Sequence, residues 1–256
     1  MPTTRPAILD EDPAGRDQLW QALTPESDGP QVRVRAVMIA SIDGSTTVDG
    51  RSGGLGTPTD KLVYDAMRAR ADVVMVGSGT ALAEGYGDAT ISADWADRRS
   101  RPAPPVLVLT RTLPTELVDL GARARGGIQI AATTSTPPSR IDAARDAGVT
   151  VHVLDDASYS NSLLGLLAGL GAGEVAFEGG PNLLGRFLTE GLVHELILSI
   201  APEIIVGGHG PGLVPGDGSG AHRIPMRVAN VFSCPRGGLY TRWVNDAAAG
   251  NDGTNT

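Results

Sequence analysis

Residues 175–184 constrain the fold of this chain more than any other stretch. They read Val-Ala-Phe-Glu-Gly-Gly-Pro-Asn-Leu-Leu, so a short apolar run ends at a glycine pair and a helical pattern follows at once. Pro181 suits the first turn of that helix, and Gly191 suits the position just after its end. An apolar strand that runs directly into a helix is typical of α/β proteins with a buried parallel sheet.

Strand and helix patterns alternate through the middle of the chain, which is typical of βαβ units. Apolar strands are predicted at residues 32–39, 72–76, 106–109, 128–131, 149–154 and 174–177. Helices are predicted at residues 58–69, 115–120, 140–147 and 160–170. Antiparallel strands are predicted to complete the sheet at residues 195–200, 203–206, 228–232 and 238–244. We therefore predict an α/β fold in three layers, with a mixed, mostly parallel sheet flanked by helices.

The same patterns divide the chain into three parts. Residues 1–30 contain many prolines and are predicted to form an arm on the surface, with one helical turn near Leu19. Residues 31–246 are predicted to form a single domain, with a polar excursion at 84–104 and a mobile glycine-rich loop at 207–220. Residues 247–256 are predicted to be a disordered tail.

Composition excludes several classes of function. The formal net charge of -8 offers no basic surface for nucleic acid or an anionic membrane. Cys234 is the single cysteine, which excludes a cysteine-rich zinc site, and the histidines lack metal-ligand spacing. The start of the chain lacks an apolar signal core, and no segment has the ~20 apolar residues of a membrane span. We expect a cytoplasmic protein that uses no metal.

Two glycine-rich turns each follow a buried strand, at residues 77–80 and 178–183. In a parallel sheet both turns open at the carboxyl edge, where α/β proteins bind ligands. Backbone N–H groups and the positive end of a helix hold phosphate at such turns, so two of them suit a dinucleotide. The predicted contacts are Gly77, Ser78, Gly79, Thr80, Glu178, Gly179, Gly180, Pro181, Asn182 and Leu183.

The end of the next strand indicates which dinucleotide binds. Thr110 and Arg111 stand there, where an NAD-binding site would carry an acidic residue for the ribose hydroxyl. A cation suits the 2′-phosphate of NADP instead. We therefore predict NADPH as the cofactor, with Thr110 and Arg111 as further contacts; the alternative for Arg111 is an ordinary solvated surface arginine.

Three motifs resemble the reductase domain of bacterial riboflavin biosynthesis, a pyrimidine reductase family with the dihydrofolate reductase fold. They are Ser-Ile-Asp-Gly at 41–44, residues 71–80 and residues 177–183, and the resemblance spans roughly residues 32–245. It implies an NADPH-dependent reduction of a ribosylamino pyrimidine 5′-phosphate to its ribityl product, usually by a homodimer. The zinc deaminase domain often fused to this reductase needs a Pro-Cys-x-x-Cys motif, which one cysteine cannot supply.

The resemblance also assigns the substrate side of the site. It places Asp43 beside the substrate's sugar as the catalytic residue, with Ser41 and Glu84 as further substrate contacts. A carboxylate there could stabilise the cation that develops during reduction, although aspartate before glycine is also a common turn former.

The chain departs from the family pattern on this same side. Ser45 stands where the family usually has lysine, and Glu84-Gly85-Tyr86 replaces an Asp-x-Pro segment. Two alternatives therefore stay open: a folate or pterin reductase on the same fold, and a non-catalytic NADP-binding relative.

Overall fold

The computed structural model describes residues 6–25, 31–124, 127–207, 210–215 and 220–248. The strands are β1 (Ala7–Ile8), β2 (Arg33–Ala40), β3 (Val73–Gly77), β4 (Val106–Leu109), β5 (Ile128–Thr133), β6 (Thr150–Leu154), β7 (Glu174–Phe177), β8 (Glu195–Ile200), β9 (Arg227–Ser233) and β10 (Leu239–Val244). The helices are α1 (Pro13–Ala22), α2 (Pro58–Arg70), α3 (Ser78–Glu84), α4 (Thr115–Arg123), α5 (Pro138–Asp146), α6 (Tyr159–Gly169) and α7 (Pro181–Thr189). Short 3₁₀ turns lie at Ser52–Gly54, Ala93–Arg98 and Asp156–Ser158.

All ten of these strands belong to one mixed sheet, in the order β1-β9-β10-β8-β2-β7-β3-β4-β5-β6. From β8 to β6 every neighbouring pair is parallel, whereas β10 runs antiparallel to both β8 and β9. The prediction of a mostly parallel sheet completed by antiparallel strands is therefore confirmed. Because β7 lies between β2 and β3, the carboxyl ends of these three strands meet at the centre of the sheet.

Helices cover both faces of the sheet and give the predicted three layers. Val175 and Phe177 of β7 face α6 and α7, where Phe177 packs on Phe187 with ring centroids 5.0 Å apart. Ala176 faces the opposite way, into a cluster with α3, α4 and α5. Val37 of β2 points to that same side and packs against α1 and α2. The central strands β3, β4 and β7 are buried on both faces, as their continuous apolar runs predict.

The N-terminal segment is more structured than a surface arm. Its described part, residues 6–25, contains β1, which pairs with β9, and the ten-residue helix α1. The carboxylate of Asp12 caps this helix by accepting a hydrogen bond from the N–H of Gly15, and Pro13 occupies its first turn. Leu9, Leu19 and Leu23 are buried, so this segment belongs to the core.

Two predictions near the C-terminus are corrected. Residues 203–206 are not a strand: they find no ladder partner, and the carbonyl of Glu203 instead accepts a hydrogen bond from Ile42. In the glycine-rich loop, residues 210–215 pack against residues 44–46, with an isolated bridge between Ser45 and Gly212. Ala248 is buried, so the start of the predicted tail is ordered, while residues 249–256 lie outside the described part.

Candidate functional site

Two cavities open side by side at the carboxyl edge of the sheet. The large cavity has a volume of about 1060 Å³ and lies over the ends of β2 and β7. The small cavity, of about 460 Å³, lies over the ends of β3 and β4. Gly79, Thr80, Gly180 and Pro181 line both cavities. The two predicted phosphate turns therefore form the boundary between the cavities. A dinucleotide that extends from one cavity into the other would need its phosphates at this boundary.

The structure brings the two turns together through backbone hydrogen bonds. The N–H of Gly77 donates to the carbonyl of Gly179 over 2.8 Å, and the N–H of Glu178 donates to Met75 over 2.8 Å. Residues 77–80 are not an open turn, because β3 reaches Gly77 and α3 begins at Ser78. Both α3 and α7 thus begin at this edge, where the positive ends of helices favour anions.

The glycines of the two turns are present for different reasons. Gly179 has a positive φ of 92°, a conformation that favours glycine. A Cβ on Gly180 would lie 2.5 Å from Thr80 Oγ1. The fold itself therefore favours glycine at both positions, whether or not a ligand is bound. The Gly179–Gly180 peptide bond is cis. A Cβ on Gly79 would meet no protein atom within 4 Å. The fold does not require glycine at that position, so the open space beside it is available to a ligand.

The small cavity carries positive charge. Thr110, Arg111, Asn182 and Leu183 line it as predicted contacts, and the structure adds Arg186 from α7. The Arg186 guanidinium stacks on the ring of Tyr159 at 3.9 Å. Burial raises the pKa of Tyr159 to about 12, an effect that the charges of Arg186 and Arg111 oppose.

Arg186 was not predicted from the sequence. Its spacing from Asn182, four residues along one helix, places both side chains on the same face of α7 and is the pattern that could have revealed it. Its Nε also binds Glu190 Oε1 at 2.6 Å, which holds the guanidinium at the cavity wall.

The carboxylate of Glu178, predicted as a cofactor contact, is instead buried and bound by protein side chains. It is almost fully buried and accepts hydrogen bonds from Arg68 Nε at 2.7 Å and Arg68 Nη2 at 2.8 Å. The hydroxyls of Tyr64 and Tyr86 donate to the same carboxylate over 2.6 and 2.7 Å. Burial, and next the negative charge of Glu178, raises the pKa of both tyrosines. The side chain thus anchors the turn from beneath, although Glu178 also lines the large cavity.

Asp43 lies at the rim of the site, outside the lining of the large cavity. Its exposed carboxylate accepts hydrogen bonds from the Ile205 N–H at 2.9 Å and from the Ser41 hydroxyl at 2.7 Å. The bond from Ile205, then that from Ser41, lowers the pKa of Asp43, so the group is ionised. This carboxylate thus holds the backbone at Ile205, which together with Val206 forms part of the cavity wall. The catalytic role of Asp43 stays a prediction.

Glu84 lines the large cavity and holds a loop. Its Oε1 accepts hydrogen bonds from the N–H of Ser52 at 2.8 Å and from the Ser52 hydroxyl at 2.9 Å. Ser41 is buried, and its hydroxyl also accepts a hydrogen bond from the Ser45 N–H at 3.0 Å. Both predicted substrate contacts therefore support the loops around the cavity, and their contact with substrate stays a prediction.

The first turn of α2 adds two cavity residues that the sequence reasoning missed. Asp60 is half-buried, and Lys61, the single lysine of the chain, is 71% exposed and pairs with Asp65 at 2.5 Å. Thr57 caps this helix by accepting a hydrogen bond from the Asp60 N–H at 3.1 Å. Thr57-Pro58 before an apolar pattern is a helix-start signature that could have placed both side chains at the sheet edge.

Within the described ranges, no group of histidine, cysteine, aspartate and glutamate side chains is arranged to hold a metal ion. None of the helices in that part of the chain is both long and apolar enough to cross a bilayer.

Comparison with known proteins gives sequence relatives for the chain. Riboflavin biosynthesis protein RibD of Mycobacterium tuberculosis is 30% identical over 171 residues, covering 66% of this chain and 41% of that protein. The chain thus spans less than half of that relative's length. The 2,5-diamino-6-ribosylamino-4(3H)-pyrimidinone 5′-phosphate reductase of Methanothermobacter thermautotrophicus is 28% identical over 199 residues, covering 74% of this chain and 85% of that protein.

Solved structures share the fold. A pyrimidine reductase-like protein from Corynebacterium diphtheriae has a TM-score of 0.77 at 24% identity, covering 90% of this chain and 98% of that one. RibD of Acinetobacter baumannii has a TM-score of 0.66 at 20% identity, covering 84% of this chain and 58% of that one. A family model described as the RibD C-terminal domain matches residues 32–239. The chain belongs to the RibD C-terminal domain family.

Proposed function

We propose that this protein is an NADPH-dependent reductase that converts a ribosylamino pyrimidine 5′-phosphate to its ribitylamino product in riboflavin biosynthesis. The observation that carries the proposal is the pair of cavities joined at Gly79, Thr80, Gly180 and Pro181. One cavity is small and cationic, and the other is large enough for a nucleotide-sized substrate beside a nicotinamide. The M. thermautotrophicus relative, matched over most of its length, carries the name of this reductase.

The residues present suit NADPH. Arg111 and Arg186 would hold the 2′-phosphate in the small cavity, and the helix starts at Ser78 and Pro181 would face the diphosphate. The open space beside Gly79 admits a ligand close to the backbone. When bound, NADPH supplies a hydride. The protein's part is to hold the substrate carbon in the large cavity and to exclude water from it.

Lys61 supplies a cation for the substrate's phosphate. It is the cationic side chain among the described residues that line the large cavity; its side chain is mostly exposed, and its ammonium group pairs with Asp65. In this scheme Lys61 does the work of the lysine that Ser45 replaces. Asp43 is proposed to orient the sugar hydroxyls from the rim.

We also propose that the enzyme is a cytoplasmic homodimer. Leu239, Val231 and Val228 share one face of β9 and β10, and all three are exposed. Their register places them beside the half-buried Trp243, so an apolar surface is available at this edge of the sheet. Sedimentation at micromolar concentration would show a dimer, and a monomer there would contradict this part of the proposal.

The test is turnover by the purified protein. We expect NADPH oxidation to depend on the ribosylamino pyrimidine 5′-phosphate, and the dephosphorylated compound to be a poor substrate because Lys61 would lack its partner. Turnover of dihydrofolate in its place would indicate a pterin reductase. Tight NADPH binding without turnover of either compound would indicate a non-catalytic relative.

A further inference from the structure

The carboxyl group of Asp60 is a titratable group of the large cavity that the binding scheme leaves unused. It projects from the first turn of α2, and the bond from its N–H to Thr57 Oγ1 fixes the backbone at this point. Val37 and Ile39 of β2 line the cavity beneath it. The carboxyl group is therefore held by a rigid element, on the side of the cavity that faces the ends of the central strands.

The surroundings of Asp60 favour its neutral form. Burial raises the pKa of this carboxyl group, and the negative charge of Asp65 on the same helix adds to the effect. The hydroxyl of Ser199, which is paired with Ile39 in the sheet, opposes it by hydrogen bonding. Lys61, the nearest cation along α2, is bound to Asp65. Asp60 therefore keeps its proton to a higher pH than an ordinary aspartate.

The other charged and titratable groups that line this cavity are engaged or exposed. From β7, Glu178 accepts hydrogen bonds from Arg68, Tyr64 and Tyr86, so these tyrosines already donate their protons. Glu84 of α3 accepts two bonds from Ser52. Asp49, from the loop after β2, is exposed. Among the described lining residues, Asp60 is thus the carboxyl group for which burial favours the protonated form.

The proposed reaction needs such a proton. In the ring-opened substrate, the sugar carbon and the amino nitrogen share a double bond. Reduction adds a hydride, with its electron pair, to the carbon, while the electron pair of the π bond forms a new N–H bond. The hydride comes from the nicotinamide cofactor class already proposed. The proton on nitrogen must come from an acid beside it, and the acid is left as its conjugate base.

We propose that Asp60 is the proton donor to the substrate nitrogen. The step rests on the proposed function: the Asp60 O–H bond breaks, the N–H bond forms, and the resulting carboxylate takes a proton back from water. Asp43 and Asp60 then have opposite roles, because hydrogen bonds at the rim favour the ionised form of the first and burial in the cavity favours the protonated form of the second.

The main test compares Asp60→Asn with Asp119→Asn, a control at an exposed position of α4 that lines neither cavity. In the wild type, kcat/KM should fall as pH rises through the pKa of Asp60, since the acid form is the active one. Asp60→Asn should lower kcat by roughly 10²-fold or more, the usual size of an acid's contribution, and should lose this alkaline fall. NADPH affinity should stay unchanged in both variants, and Asp119→Asn should keep the wild-type profile. Wild-type turnover or an unchanged pH profile in Asp60→Asn would overturn the inference.

A second readout does not depend on turnover. Infrared or carbon NMR titration of the ligand-free protein should show one carboxyl group, absent in Asp60→Asn, that stays protonated above the usual value of about 3.9. Titration of Asp60 at or below that value would contradict the donor role. If Asp60→Asn fails to fold by circular dichroism, this titration and an Asp60→Glu variant, expected to keep the alkaline fall, decide instead. A wild type that turns over no ribosylamino pyrimidine would refute the proposed function and this step together, whereas an active wild type with an equally active Asp60→Asn refutes this step alone.

Discussion

Two buried glutamates of this protein sit at opposite edges of the same sheet. Glu178 follows β7 at the carboxyl edge, and its carboxylate is held by one arginine and two tyrosine hydroxyls. Glu195 begins β8 at the other edge, and its carboxylate binds Arg35 Nε at 2.9 Å and Arg242 Nε at 2.9 Å. Both side chains are almost fully buried, and both are fully paired.

The two networks differ in the part of the protein that the partners of each glutamate contact. Arg35 Nη2 and Arg242 Nη1 donate to the carbonyls of Leu23 and Ala22, so the Glu195 network ties the end of α1 to the sheet. Tyr64, Tyr86 and Glu178 itself line the large cavity. Similar chemistry therefore stabilises the fold at one edge and shapes the ligand site at the other, because ligands of α/β sheets bind at the carboxyl edge.

The largest effect should come from Glu195→Gln. Removing the charge takes away the carboxylate that two buried arginines share and leaves Arg35 only its 3.4 Å ion pair with Glu174. This should lower the free energy of unfolding by about 3–5 kcal/mol. NADPH affinity of the folded fraction should not change. Urea denaturation measures the free energy of unfolding, and cofactor titration measures the NADPH affinity. An unchanged free energy of unfolding would contradict the claim that the Glu195 network stabilises the fold.

The pH dependence of stability gives a second test of the Glu195 network. Burial alone would raise the pKa of Glu195, but the positive charges of Arg35 and Arg242 lower it overall. A lowered pKa in the folded state contributes stability above the unfolded value of about 4.3, and this is lost as pH falls through the folded pKa. Wild-type protein should lose this contribution in acid, and Glu195→Gln should not.

Glu178→Gln is the matched variant at the other edge. It should weaken NADPH binding by about tenfold or more, about 1.4 kcal/mol, because the glycine turn loses its anchor to Arg68. A variant that loses stability but binds NADPH normally would show that Glu178, like Glu195, serves the fold alone.

A smaller effect is expected at the small cavity. The wild type should bind NADPH about tenfold more tightly than NADH, a difference of about 1.4 kcal/mol. Arg111→Ala should remove most of this preference, and Arg186→Ala should remove a similar part, since both line the cavity. Arg123→Ala, on the surface of α4, is a control that should leave both affinities unchanged. Equal affinity of the wild type for NADPH and NADH would contradict the cofactor assignment.

Much of the fold could be predicted from local patterns. Continuous apolar runs predicted the parallel strands, because a strand that is buried on both faces consists of apolar residues. The later apolar runs predicted β8, β9 and β10. The helix α1 was predicted only as a single turn near Leu19, because the prolines of residues 1–30 were interpreted as marking a surface arm, although Asp12 and Pro13 form a helix start. The segment 203–206 has strand-like residues but no partner strand, and only the pairing decides such a case.

The site was predictable where it depends on backbone and unpredictable where it depends on distant contacts. The two glycine turns were found because each directly follows a strand. The network of Glu178 was not, because Tyr64 and Arg68 lie 114 and 110 residues away in the chain. Asp60 was missed for the same reason, since its raised pKa arises from burial in the folded chain, where it meets Ser199 of β8.

Gly79 offers the most direct test of the claim that the two turns hold a dinucleotide. A Cβ added there meets no protein atom within 4 Å, and the same is true at Gly165 of α6, which lines neither cavity. The decisive measurement is NADPH affinity of Gly79→Val against Gly165→Val, with both variants shown to be folded. We predict that Gly79→Val loses about tenfold or more in affinity, about 1.4 kcal/mol, because its side chain occupies the ligand's space, while Gly165→Val binds as the wild type does. Equal affinity in the two variants would contradict the account.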